Sequence, residues 1–152
     1  MEQKPSLVLY FAYGSNMSSS RIQTRIHDVK SVGTGVLSNY TFTCDKASRD
    51  GSGKGNIHPK ERCQVWGVIF EVPETVLAEL DEIEGGYQRK IVQVETEDGT
   101  VEAVTYVSDE LTDEPPFDSY MENIIRGAQE HSLPKEYVDR LAEIPTKPDE
   151  KT

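Results

Sequence analysis

Apolar positions fall into two kinds of run along the chain, and their spacing separates strands from helices. Residues 7–12 are almost unbroken apolar, the pattern of a short buried strand, and they run straight into Tyr13-Gly14-Ser15-Asn16, a turn of small and polar residues. Ser18 and Ser20 are helix-capping types, and Arg21 to Ile26 reads as the helix beyond them. Residues 31–37 and 40–45 carry apolar side chains at strand spacing, with Ser38-Asn39 predicted as a two-residue turn between them. Residues 47–55 are polar and glycine-rich and predict a mobile loop. Residues 64–72 contain Val65-Trp66-Gly67-Val68-Ile69-Phe70, too continuously apolar for a strand with one face in water, so this is the predicted central strand.

Helical spacing takes over after Pro73, a residue suited to a first helical turn, with Val76, Leu77, Leu80 and Ile83 directed to the core and Gly85-Gly86 as the stop. Residues 87–95 and 101–107 predict a hairpin about Glu97-Asp98-Gly99. Residues 108–119 are acidic and contain Pro115-Pro116, an irregular segment long enough to fold over a site as a lid or to serve as a plain connector. Residues 120–130 and 134–144 then read as two helices bracing the sheet, with Ile124, Ile125 and Ala128 on the first and Tyr137, Val138 and Leu141 on the second. Strands interleaved with helices, an antiparallel hairpin and a late helical pair predict an α+β fold. The expected organisation is a flexible N-terminus at 1–6, one domain over 7–144, and a charged tail at 145–152 that frays.

Length and charge narrow the function classes. At 152 residues the chain suits one domain with a real core. A formal net charge of −11 argues against nucleic acid as a partner, because a phosphate backbone needs a Lys/Arg surface. No stretch is long enough to span a membrane, and none has the character of a signal segment, so the expected location is cytoplasmic with Cys44 and Cys63 reduced. The glycosylation-type triplets at Asn16 and Asn39 are read as chance. His27, His58 and His131 are scattered and neither cysteine has a partner at ligand spacing, so no metal site is expected. Lys54 precedes Gly55-Asn56 rather than Ser or Thr, which argues against a phosphate-binding loop.

Two stretches carry chemistry. Tyr13-Gly14-Ser15-Asn16 is one, and Leu80-Asp81-Glu82-Ile83-Glu84-Gly85-Gly86-Tyr87 is the other. Together they resemble the gamma-glutamylcyclotransferase family, whose members have a Tyr-Gly-Ser-Asn-like loop and a catalytic Glu just before a Gly. The resemblance runs from about residue 7 to about residue 144 and includes Val65-Trp66-Gly67-Val68, Gly127-Ala128 and Leu133-Pro134-Lys135-Glu136-Tyr137. It favours the branch acting on gamma-glutamyl amino acids, and it implies a mixed sheet curled into a partial barrel with helices outside, which periodicity alone does not predict.

The resemblance also implies a reaction that needs no cofactor. A gamma-glutamyl amide carries its own nucleophile: the α-amine attacks the γ-carbonyl, closes 5-oxoproline and expels the amine. The enzyme must take a proton from the α-ammonium, fold the substrate and protonate the departing nitrogen. By family position the residue for both proton steps is Glu84. Its place at a predicted helix C-terminus, near Ile83 and Tyr87, is one where the helix dipole and burial raise a carboxyl pKa. Asp81 and Glu82 are read as surface or capping charges. Backbone N–H groups of the Tyr13, Gly14, Ser15 and Asn16 turn suit either the substrate α-carboxylate or the developing oxyanion, and family analogy leans to the carboxylate. Tyr87 and Tyr120 match family tyrosines near the pocket and can offer a hydroxyl to substrate or to Glu84. The alternatives are the same chemistry on a gamma-glutamylamine or pathway-specific conjugate, and a non-catalytic module that binds small ligands or proteins. The family suggests a homodimer, although no interface stripe is visible in the sequence.

Overall fold

In the computed structural model, which describes residues 6–149, strands β1 Leu7–Ala12, β2 Lys30–Ala47, β3 Gly53–Pro73, β4 Gln88–Thr96 and β5 Gly99–Val107 form a closed barrel in the order β1-β3-β2-β4-β5. Four helices flank it: α1 Ser19–Arg25, α2 Leu77–Ile83, α3 Asp118–Glu130 and α4 Lys135–Ala142. Single 3-10 turns occupy Ser15–Met17 and Glu74–Val76. The barrel is closed rather than partial, since β1 pairs antiparallel with β3 and meets β5 in a parallel pair at Tyr10 and Val104.

The unbroken apolar runs exist because β1 and β3 are buried on both faces. Side chains alternate across a strand, so Tyr10 and Ala12 join Val68, Phe70 and Val72 in a core shared with the helices, while Phe11 and Tyr13 join Val65 and Ile69 in the second core with Val92, Val94 and Ala103. Phe11 and Phe70 are fully buried, each contributing about 2 kcal/mol by removal from water. Gly67 is where β3 crosses closest to β1: a Cβ there would stand 2.5 Å from the Ala12 carbonyl oxygen and 2.8 Å from the Phe11 ring.

Several expectations are corrected. Ser38-Asn39 is not a hairpin turn but a bulge inside one 18-residue strand; Asn39 takes φ 64° there, and its side-chain oxygen accepts from Arg62 N–H at 3.2 Å. Two left-handed residues, Asn39 and, across from it in β3, Arg62 at φ 67°, absorb the irregularity while β2 on both sides stays paired with β3. The glycine-rich loop expected over 47–55 shrinks to a turn, closed by Ser48 N–H to Ser52 O at 3.1 Å, and Gly53, Lys54 and Gly55 already belong to β3. Ile83 is 36% exposed instead of core-facing, because α2 ends at that residue. The segment after β5 is a strap: the Ala47 N–H donates to Glu110 O at 2.7 Å, Thr112 N–H to Asp45 O at 2.8 Å, and Gly53 N–H to Pro115 O at 3.2 Å. Residues 145–149 do not fray. Lys147 pairs with Phe117, its Nζ reaches the Gly51 carbonyl and a Glu114 carboxylate at 2.9 Å each, and Asp149 accepts from Ser119. Of the predicted N-terminal stretch, 1–5 lie outside the described residues, as do 150–152 of the tail; the Ser6 carbonyl accepts from Glu74 N–H at 2.7 Å.

Cys44 and Cys63 are free thiols, and burial pushes Cys44 up to about 12. No helix of the described residues is long and apolar enough to cross a membrane.

Candidate active site

The distal half of the β2–β3 hairpin extends past the barrel and, with the turn after β1, the end of α2 and the start of α3, encloses a cavity of about 190 Å³. Each contributing element is placed by an identifiable local cause. Ser18 caps α1 by accepting the Arg21 N–H at 3.4 Å. The α3 helix approaches this turn closely because residue 127 is Gly: a Cβ there would lie 2.9 Å from the Ser18 nitrogen. That approach brings Tyr120, in the first turn of α3, to the cavity wall. The α2 helix ends with Glu84 as its C-cap, the Glu84 N–H donating to the Leu80 carbonyl at 2.9 Å, and Gly86 at φ 87° turns the chain into β4.

All seven residues singled out in the sequence line this cavity: Tyr13, Gly14, Ser15, Asn16, Glu84, Tyr87 and Tyr120. The Tyr87 hydroxyl, expected on substrate or Glu84, is instead bonded to the Gly55 carbonyl. Glu84 accepts a hydrogen bond from Asn16 Nδ2 at 2.7 Å, and the same amide donates to the Tyr10 hydroxyl at 3.1 Å. Asn16 is 3% exposed; its amide nitrogen holds the carboxylate in place, and its side-chain oxygen has no hydrogen-bond partner among the described residues. The Tyr13 hydroxyl donates to the Tyr106 carbonyl. Gly14 has φ −117° and ψ −139°, and a Cβ there would meet only the Tyr120 hydroxyl at 3.9 Å. The absence of a side chain at this position leaves space there for a ligand.

Gly55 organises the two tyrosines. The Tyr87 hydroxyl donates to the Gly55 carbonyl at 2.6 Å, and the Gly55 N–H donates to the Tyr120 oxygen at 2.8 Å. Tyr87 has thus spent its proton on the backbone, whereas Tyr120 accepts from Gly55 and keeps its own proton to donate.

Electrostatics favour a carboxyl able to change protonation state. Burial raises the Glu84 pKa above the ordinary carboxylate value, opposed by the positive charge of Arg25, the Asn16 hydrogen bond, and Arg21 and Lys46. Asp81 behaves differently: it is exposed, its bond from Arg89 holds its pKa low, and Tyr106 donates to it at 2.6 Å. Its reading as a surface charge fits its exposure and this pairing. Among the described residues no group of three or more His, Cys, Asp or Glu is arranged to hold a metal ion. A larger cleft of about 430 Å³ lies by the β4–β5 turn, but its acids, Glu97 and Asp98, are exposed. The strap after β5 contributes nothing to the wall of the smaller cavity, so it is not a lid over it.

Sequence reasoning missed Tyr10, Arg25, Lys54, Gly55, Thr105 and Tyr106, which also line the cavity. Only Lys54-Gly55 had a local signal, the glycine-rich stretch; the others reach the site by barrel closure and by the packing of α1.

A profile of the AIG2-like family matches residues 64–141. A human protein named gamma-glutamylcyclotransferase is 30% identical over 146 residues, covering 90% of this chain and 78% of the relative. Its counterpart of the same name in Bos taurus is 32% identical over 148 residues, with the same coverage of 90% and 78%. A solved structure named gamma-glutamyl cyclotransferase superposes with a TM-score of 0.87 at 29% identity, over 97% of this chain and 92% of that one.

Proposed function

The chain belongs to the AIG2-like family and to the gamma-glutamylcyclotransferases within it, and from that membership we propose that it converts small gamma-glutamyl amino acids to 5-oxoproline and the free amino acid, with Glu84 moving the protons. The observation that carries the assignment is a carboxylate of raised pKa, held at 2.7 Å by Asn16, in a cavity that Gly14, Ser15 and Asn16 also line.

The turn receives the substrate α-carboxylate on N–H groups that a 3-10 turn leaves without partners at its start. Ionised Glu84 takes one proton from the α-ammonium. The freed amine forms a bond to the γ-carbonyl carbon, whose electron pair moves to oxygen, and Tyr120 offers its hydroxyl proton to that charge. As the carbonyl re-forms, the bond to the departing nitrogen breaks while Glu84 returns its proton there; Glu84 then takes the second proton from the ring nitrogen, leaving the lactam N–H, and passes it to the released amine, which departs as an ammonium. The base ends as it began, and no external oxidant, reductant or cofactor enters. Raising the Glu84 pKa narrows its gap to an ammonium, which favours the first transfer, and Asn16 keeps the carboxyl in one place for the second.

The chemistry is a cyclising lyase reaction of glutathione metabolism. Free thiols at Cys44 and Cys63 suit the cytoplasm, and the acidic surface suits a small-molecule partner rather than nucleic acid or membrane. A homodimer is the proposed oligomer, tested by sedimentation equilibrium. Glu84→Gln tests the catalytic assignment: it should retain the fold while 5-oxoproline formation from gamma-glutamyl dipeptides, followed by mass spectrometry, falls at least about a hundredfold. Turnover near that of the parent enzyme would remove Glu84 from the proton steps.

A further inference from the structure

The cavity is opposite in charge to the chain around it. Against a net charge of −11, its wall carries two cations, Arg25 and Lys54, and one carboxylate, Glu84, while Arg21 and Lys46 add positive charge near that carboxylate. A gamma-glutamyl α-amino acid brings two carboxylates and one ammonium, whereas a simple gamma-glutamylamine brings one of each. With the glutamyl α-carboxylate on the turn, a second carboxylate needs a cation of its own.

Arg25 acts on Glu84 more strongly than any other charge does. Lys54 is placed elsewhere in the cavity wall, on the distal hairpin. Its Nζ sits 4.4 Å from the centroid of the Tyr120 ring and 3.1 Å from Asp50 Oδ2, and its side chain is only 24% exposed. The next residue, Gly55, is bonded to the hydroxyls of both pocket tyrosines, so the backbone beneath Lys54 is fixed. An ammonium has three donors, and the bond to Asp50 occupies one.

We propose that Lys54 receives the carboxylate of the departing amino acid, making the enzyme selective for gamma-glutamyl α-amino acids over gamma-glutamylamines. The assignment rests on the cyclotransferase reading above. A bland role, packing on Tyr120 and pairing with Asp50, would affect all substrates equally.

The test compares gamma-glutamyl-alanine with gamma-glutamyl-alaninamide, nearly identical in shape but differing by that carboxylate. Loss of a charge-assisted contact predicts that Lys54→Met lowers kcat/KM for the acid about tenfold or more and leaves the amide within about twofold. Lys54→Arg should preserve most of the preference. Equal losses on both substrates, or a preference that survives Lys54→Met, would overturn the assignment while leaving the cyclotransferase reading intact. No 5-oxoproline from either substrate with folded parent enzyme would overturn that reading, and the role of Lys54 with it.

Discussion

At the scale of the residue, the site turns on how one carboxyl is held between burial and positive charge. Desolvation pushes the Glu84 pKa up, and Arg25 is the strongest influence pulling it back. On the proposed mechanism the acid limb of a kcat/KM profile follows the ionisation of Glu84, because only its ionised form takes the ammonium proton. Replacing Arg25 by Gln removes a charge that stabilises the carboxylate, so the folded-state pKa rises further and the acid limb should move to higher pH, measured with gamma-glutamyl-alanine. A limb that stays in place or moves down would mean that Arg25 does not govern Glu84. Glu84 itself was legible from its place before Gly85; Asn16 was legible as a site residue, but its commitment to Glu84 was not, because the contact joins residues 68 positions apart.

At the scale of the element, helices place functional groups by how near they can come to the barrel's end. Gly127 lets α3 lie against Met17 and Ser18, and a Cβ there would press on backbone that cannot swing aside. Gly127→Ala should therefore destabilise the fold by about 1–3 kcal/mol, with a lower Tm by calorimetry, and should weaken substrate binding by shifting Tyr120. An unchanged Tm and KM would show that the helix yields freely. The α3 pattern was legible as a helix from Ile124, Ile125 and Ala128. Its depth of approach was not, because a glycine in a helical run shows nothing of what faces it.

At the scale of the molecule, closure of the barrel makes the cavity, and the closing seam is thin. The β1–β5 register consists of the Tyr10–Val104 pair, reinforced by Thr105 Oγ1 donating to the Phe11 carbonyl at 2.8 Å and by Tyr13 donating to Tyr106. Thr105 is fully buried. Thr105→Val keeps the shape and removes that bond, so it should cost about 1 kcal/mol and lower the Tm by about 2–4 °C in thermal unfolding. No loss of Tm would mean that the backbone pairing and core packing suffice to hold the seam.

Local pattern alone determined the buried β1 and β3 runs, the β4–β5 hairpin at Asp98-Gly99 and the late helical pair, because alternation, helical spacing and turn chemistry are properties of neighbouring residues. The Tyr13–Asn16 turn and Glu84 were readable as a family pattern, again over short spans. Only the tertiary structure decided that β2 continues through Asn39, since pairing with β3 outweighs a local turn preference. It also decided that residues 145–149 dock, that the strap after β5 stays off the cavity, and that Arg25, Lys54 and Gly55 share a wall with Glu84. Each of these depends on contacts between distant segments, whose free energy is realised only when the barrel has closed.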